Sequence, residues 1–161
     1  MPNRNDAYLL MTSHVKNENL RKHMLSVEAT MGFYARKYGE DEELWAMMGL
    51  LHDADYEEFP DLREHTYVLA GWLSDGGYDE RIIYAILAHN DLNVETHPRN
   101  DLLSRALYAC DEVTGMVTAT APITKCHSRK LSTCTKRIRS TWLNGAAHSS
   151  VCDSRKTATT C

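Results

Sequence analysis

Six residues of this chain have the chemistry to surround a divalent cation: His23, His52, Asp53, His65, His89 and Asp111. Each histidine shares a helical stripe with apolar residues. His23 lies one turn from Leu20 and Val27, and His52 follows Trp45, Met48 and Gly49. His65 precedes Leu69 and Trp72, and His89 follows Ile82, Ala85 and Ile86. One such histidine is ordinarily a satisfied, half-buried residue. Four on four helices can converge, because bundle cores build metal sites from side chains on facing helices. Asp111 stands in the otherwise apolar run ALYAC, where an unpaired carboxylate would be costly to bury; its alternatives are an N-cap or an ion pair. Neighbours on a helix point about 100° apart. His52 and Asp53 can therefore reach one ion if the helix is ending there, as Asp55 and Pro60 just beyond them suggest.

A mixed set of imidazoles and carboxylates suits a divalent transition metal (Mn, Fe, Co, Ni or Zn) better than Ca or Mg. Such an ion lowers the pKa of a bound water from 15.7 to about 7 in the zinc case. In this reading Asp53 orients the nucleophile and is the catalytic residue. A site with two ions would hold them roughly 3.5–4 Å apart. Arg21 and Lys22, beside His23, are the cationic candidates for binding a substrate. Asp55, Glu57 and Glu58 are candidates for hydrogen-bonding the ligand imidazoles or donating a proton to a leaving group. His14, His97, His127 and His148 fall outside the strong helical patterns and receive no role.

The elements that must position these residues are helices. The first long one is expected from Asn17 to Gly39, with apolar positions Leu20, Met24, Val27, Met31, Tyr34 and Tyr38 at three- and four-residue steps. Asp41 should cap a second, running to about His52 with Glu42 and Glu43 in its first turn. Asp61 and Glu64 have capping-box spacing and predict a third helix from DLRE to Gly76. Asp79 caps a fourth, to about Asn90, and Asn100 or Asp101 a fifth through LLSRALYACDEVTGMV. No stretch alternates with period two. The fold class expected is all-α.

The chain is 161 residues long, 43% hydrophobic and 25% charged, which fits a globular domain and excludes wholesale disorder. No apolar run approaches the roughly 18 residues of a membrane span, and the first twenty residues do not read as a signal peptide. A cytoplasmic protein with no membrane association is expected. The net charge of −4 conceals a division. Residues 1–118 carry 10 Lys and Arg against 21 Asp and Glu; residues 119–161 carry 8 against a single acid, Asp153, with four of the five cysteines. This tail, 119–161, has no sustained period, and its low hydrophobicity and same-sign charge favour disorder. A loosely docked tail with one short helix near Lys136–Leu143 is the alternative. Its cysteine spacings fit no zinc pair, and its basic run reads as solvated charge, so no specific nucleic-acid partner is expected.

The order His23, His52-Asp53, His65, His89, Asp111 resembles the HD superfamily of metal-dependent phosphohydrolases. The stretches NENLRKHMLSVEA, GLLHDADYE, AILAHND and ALYACDEVTG are similar to the small bacterial HDIG-type hydrolases over roughly residues 12–118. The resemblance implies a compact HD-domain bundle over residues 1–118. It implies His23, His52, Asp53 and Asp111 as core ligands, with His65 and His89 serving a second ion, so one or two ions in all. It further implies hydrolysis of a nucleotide or other small phosphoester, in an enzyme that can form oligomers. Two readings compete: a metal-binding HD fold without hydrolase activity, or a di-iron oxygenase. There are departures. Asn90 stands where binuclear members often have a second histidine. The Gly-Tyr-Pro signature of cyclic-dinucleotide phosphodiesterases is missing, and ADYEE does not reproduce the acidic pair of alarmone hydrolases. Residues 119–161 do not match the helices that follow in such proteins. Their abrupt composition is what an out-of-frame end of the gene would produce, a hypothesis that re-sequencing the DNA with an intact frame would remove.

Overall fold

The computed structural model describes residues 2–124, with side chains through Val117. Six α-helices follow one another: α1 (Arg4–His14), α2 (Glu18–Tyr38), α3 (Glu42–Leu51), α4 (Tyr67–Asp75), α5 (Glu80–His89) and α6 (Leu102–Thr124). A 3-10 turn, Asp91–Asn93, follows α5. Among the described residues there is no strand, and the fold is all-α. Residues 1–122 form one unit. The expectations placed on the tail lie mostly outside the described residues; α6 itself continues to Thr124.

Helix α3 is the centre of the unit. Seven of its ten residues are buried, Leu44, Trp45, Met47, Met48, Gly49, Leu50 and Leu51, and a helix apolar on nearly every side must be surrounded. Helix α2 lies against it with Met24, Val27, Met31 and Ala35, and α1 adds Ala7 and Met11. Leu69 and Leu73 of α4, Ile82 and Ile86 of α5 and Leu107 of α6 complete the core. Each large side chain so buried contributes about 1.5–3 kcal/mol relative to exposure.

Gly49 lets α3 approach α2 closely. A Cβ on it would lie 2.9 Å from the carbonyl group of Val27 and the amide nitrogen of Glu28. Beside this contact the Glu28 carboxylate is buried and accepts from the Arg4 guanidinium, with Nη2–Oε2 at 3.0 Å. Such close backbone approach is what a missing side chain permits.

Four of the expected helix starts are found. Asn17, Asp41 and Asp79 accept amide hydrogen bonds as N-caps. Asp101 accepts from the Ser104 amide at 2.8 Å. Gly39 ends α2 in the left-handed region at φ 74°, as its place in the sequence requires. Two expectations need correction. Helix α4 begins at Tyr67, not at DLRE: Asp61 caps only a turn, accepting from Arg63 N at 2.9 Å. The amides of Thr66 and Leu69 are instead taken by Asp55 Oδ2, at 2.9 and 3.1 Å. Thr66 itself has φ 74°, a strained value for a β-branched residue. Helix α1 has no counterpart among the helices expected from sequence. Its start is a capping box between Asn3 and Asp6, which uses an Asx pair in place of the usual Ser/Thr and Glu.

Candidate metal centre

His23 comes from the second turn of α2, His52 closes α3, and Asp53 follows it where the helix relaxes into turns. His65 sits in the turns before α4, His89 is the last residue of α5, and Asp111 lies in the middle of α6. Their side chains meet. His23 Nε2 is 3.2 Å from His52 Nε2, 3.0 Å from Asp111 Oδ1 and 3.7 Å from Asp53 Oδ2. His52 Nε2 is 3.3 Å from Asp53 Oδ2 and 3.5 Å from Asp111 Oδ1. The other oxygen of Asp53 faces elsewhere: Oδ1 is 3.6 Å from His65 Nε2 and 3.5 Å from His89 Nε2. Two donor groups result, His23, His52, Asp53 and Asp111 on one side and Asp53, His65 and His89 on the other. Asp53 belongs to both.

The tautomers can be read from the outer nitrogens. His52 Nδ1 donates to Gly49 O at 2.8 Å and His89 Nδ1 to Ile86 O at 2.7 Å, since a carbonyl can only accept. His65 Nδ1 lies 2.8 Å from Asp55 Oδ1, and the fully buried Asp55 carboxylate fixes it as a donor too. In the neutral imidazoles the proton therefore sits on Nδ1, and Nε2 presents a lone pair inward. Carboxylate oxygens face those lone pairs at 3.3–3.6 Å with no hydrogen between them. Acceptors turned toward acceptors need a cation, either a proton or a metal. The residues present fit a metal: N and O donors from five segments, three imidazoles held by hydrogen bonds at the far nitrogen.

Electrostatics points the same way. Burial opposes charge on His52, yet Asp53 and Asp111 outweigh it and raise its pKa well above the ordinary value. Burial likewise favours the neutral acid at Asp53, and His52 and His89 overcome that, leaving it well below the carboxylate range. At Asp111 burial is overcome by His23 and His52, again downward. The neighbouring Cys110 thiol is pushed up to about 11 by burial and by Asp111, which keeps it neutral.

Other expected residues lie elsewhere. The Arg21 guanidinium donates to Val15 O at 2.7 Å and Thr12 O at 3.0 Å, bracing the α1–α2 turn. Lys22 is exposed, with its ammonium 3.8 Å from Glu18. Neither meets the cluster, so the expectation that they bind substrate finds no geometric support. Glu57 accepts from the amides of Lys16 and Asn17, both at 2.8 Å, and Glu58 faces His14 at 3.2 Å. Of the three acids only Asp55 holds an imidazole of the cluster, that of His65. His14 stacks on Trp72 and His97 packs near Tyr84; His127 and His148 lie outside the described residues. Asn90 is a buttress: its Nδ2 donates to Leu62 O at 2.7 Å and His65 O at 3.3 Å, steadying the turn that carries His65.

The described residues form an all-α bundle in which two groups of potential metal ligands share one carboxylate. The model of the HD domain family matches residues 20–116, a span that includes all six residues. The chain belongs to the HD domain family. Searches of the curated proteins and of the solved structures find no match. Among the described residues no helix is long and apolar enough to cross a membrane.

Proposed function

We propose that this chain is a metal-dependent phosphohydrolase acting on a nucleotide or other small phosphoester. The observation that carries the reading is the division of Asp53, with Oδ2 directed to His23 and His52 and Oδ1 to His65 and His89. His23, His52, Asp53 and Asp111 would hold one divalent transition ion, and His65 and His89 would join Asp53 in holding a second. When bound, such ions acidify a water and offset negative charge on phosphoryl oxygens.

The chain's own groups supply orientation. His52, His65 and His89 are anchored at Nδ1, so their rings keep one direction without rearrangement during reaction. Asp53 is assigned to orienting the attacking water, because among the described residues it alone belongs to both donor groups. Asp111 and Asp53 are the cluster's most open side chains, 24% and 15% exposed, with His23 next at 12%, whereas His52 is fully enclosed. Substrate therefore approaches over Asp111 and His23. Gly115, one turn beyond Asp111, leaves that approach without a side chain: a Cβ there would meet His23 Cε1 only at 3.9 Å.

The test combines two measurements on protein purified without added ions. Metal analysis should find transition metal, and an aryl phosphate should be turned over when Mn or Co is supplied. Asp53→Ala should lose both. Metal bound without turnover of any nucleotide or phosphosugar would favour the metal-binding module, and oxygen consumption with bound iron would favour the oxygenase.

A further inference from the structure

The cluster joins two donor groups whose histidine and aspartate sit on different elements, and one side chain outside the cluster touches both elements. Arg99 lies in the segment between the 3-10 turn and α6. Its Nε donates to Ala88 O at 2.7 Å, and its Nη2 donates to His89 O at 3.1 Å and to Asp91 Oδ1 at 2.6 Å. Its Cζ lies 3.7 Å from the centroid of the Tyr108 ring, and the Tyr108 hydroxyl lies 3.4 Å from Asp91 Oδ2. The Arg99 side chain is only 16% exposed. Ala88 and His89 are the last two residues of α5, where carbonyls have no partner within the helix. Tyr108 is three residues before Asp111 on α6, on the same side of the helix.

We propose that Arg99 is a positioning residue for the metal centre. It clamps the His89 end of α5 against the Asp111 turn of α6, and so sets the second donor group against the first. The assignment rests on the metal reading above. Guanidinium is the right group for such a clamp. Its fixed fork satisfies the end of a helix while its flat face stacks on a ring, and an ammonium can do only the first part. An open α5 end would let the His89 ring leave Asp53 Oδ1, while His23, His52 and Asp111 do not depend on the carbonyls Arg99 holds.

Cobalt(II) titration of the full chain tests this, with equivalents counted by calorimetry and followed by the visible spectrum of the ion. The natural chain should take up two equivalents. Arg99→Ala should weaken the second by about 10–100-fold, the usual effect of losing a group behind a ligand, and leave the first within about twofold. Tyr108→Ala should weaken the second in the same sense, and Tyr108→Phe should restore it. A merely structural role would lower both equivalents together. Two equivalents of unchanged affinity in Arg99→Ala overturn the Arg99 assignment alone. One equivalent or none in the natural chain overturns the paired-group reading beneath it. Should Arg99→Ala fail to fold by circular dichroism, Tyr108→Ala against Tyr108→Phe decides by the same readout.

Discussion

Asp53 and Asp55 are two residues apart and do opposite things. Asp53 turns its oxygens into the cluster; Asp55, fully buried, turns away and accepts from His65 Nδ1, Thr66 N and Leu69 N. Asp53→Asn should therefore weaken both metal equivalents by at least about a hundredfold, since even outer partners of ligands cost about 10–100-fold. Asp55→Asn should weaken the His65 group alone, and calorimetric titration separates the two. The pKa directions add a prediction for the metal-free chain. His52 is raised above 6.5, so its contribution is complete below that pH and is lost as pH rises through its folded value. Asp53 is lowered below 3.8, so its contribution is complete above that pH and is lost as pH falls. In chelator, the melting temperature should be highest between about 3.8 and 6.5 and should decline above it. A divalent ion takes the proton's place and should abolish the alkaline decline. Melts with chelator and with Mn across this range check it, and identical profiles would count against a cation site.

At the scale of elements, Gly49 links packing to chemistry. It lets α3 meet α2 at backbone distance, and its carbonyl accepts from His52 Nδ1. Gly49→Ala should push α3 from α2, costing about 1–3 kcal/mol as overpacking does, and should also weaken metal binding by moving His52 from His23. Gly39→Ala, at φ 74° with nothing within 4 Å of the new Cβ, should cost about 1 kcal/mol for conformation alone and leave metal affinity unchanged. Denaturant unfolding and a cobalt titration of each distinguish the two. Elements with local signals are legible in the sequence: Asn17, Asp41, Asp79 and Asp101 cap the helices that follow them, and Gly39 stops one. The start of α4 is not, because its first amides are held by Asp55 from another segment. A cap made by tertiary contact has no signature at the helix's own start. The candidate ligands can be picked by type and stripe. The division of Asp53's oxygens, the carbonyl partners of His52 and His89, and the clamp at Arg99 depend on how turns place backbone groups, which side-chain spacing does not encode.

For the molecule as a whole, the separation of the acidic first part from the basic last 43 residues matters less than the composition implies. All six cluster residues lie between His23 and Asp111, within the stretch the HD family model matches, so the metal reading does not depend on the origin of the tail. The cluster draws on α2, α3, the turns that follow it, α5 and α6. A cation held there bridges elements that otherwise meet largely through apolar packing, so its effect on stability should be global. Binding to the folded chain alone stabilises it by about 2.7 kcal/mol at a hundredfold excess over the dissociation constant. For a domain of this size that corresponds to a rise on the order of 10 °C in melting temperature. Adding chelator to the loaded protein should reverse it, and Asp53→Ala, which removes the carboxylate that both donor groups share, should melt at one temperature with or without metal. A chelator shift of equal size in Asp53→Ala would place the stabilising ion somewhere other than this cluster.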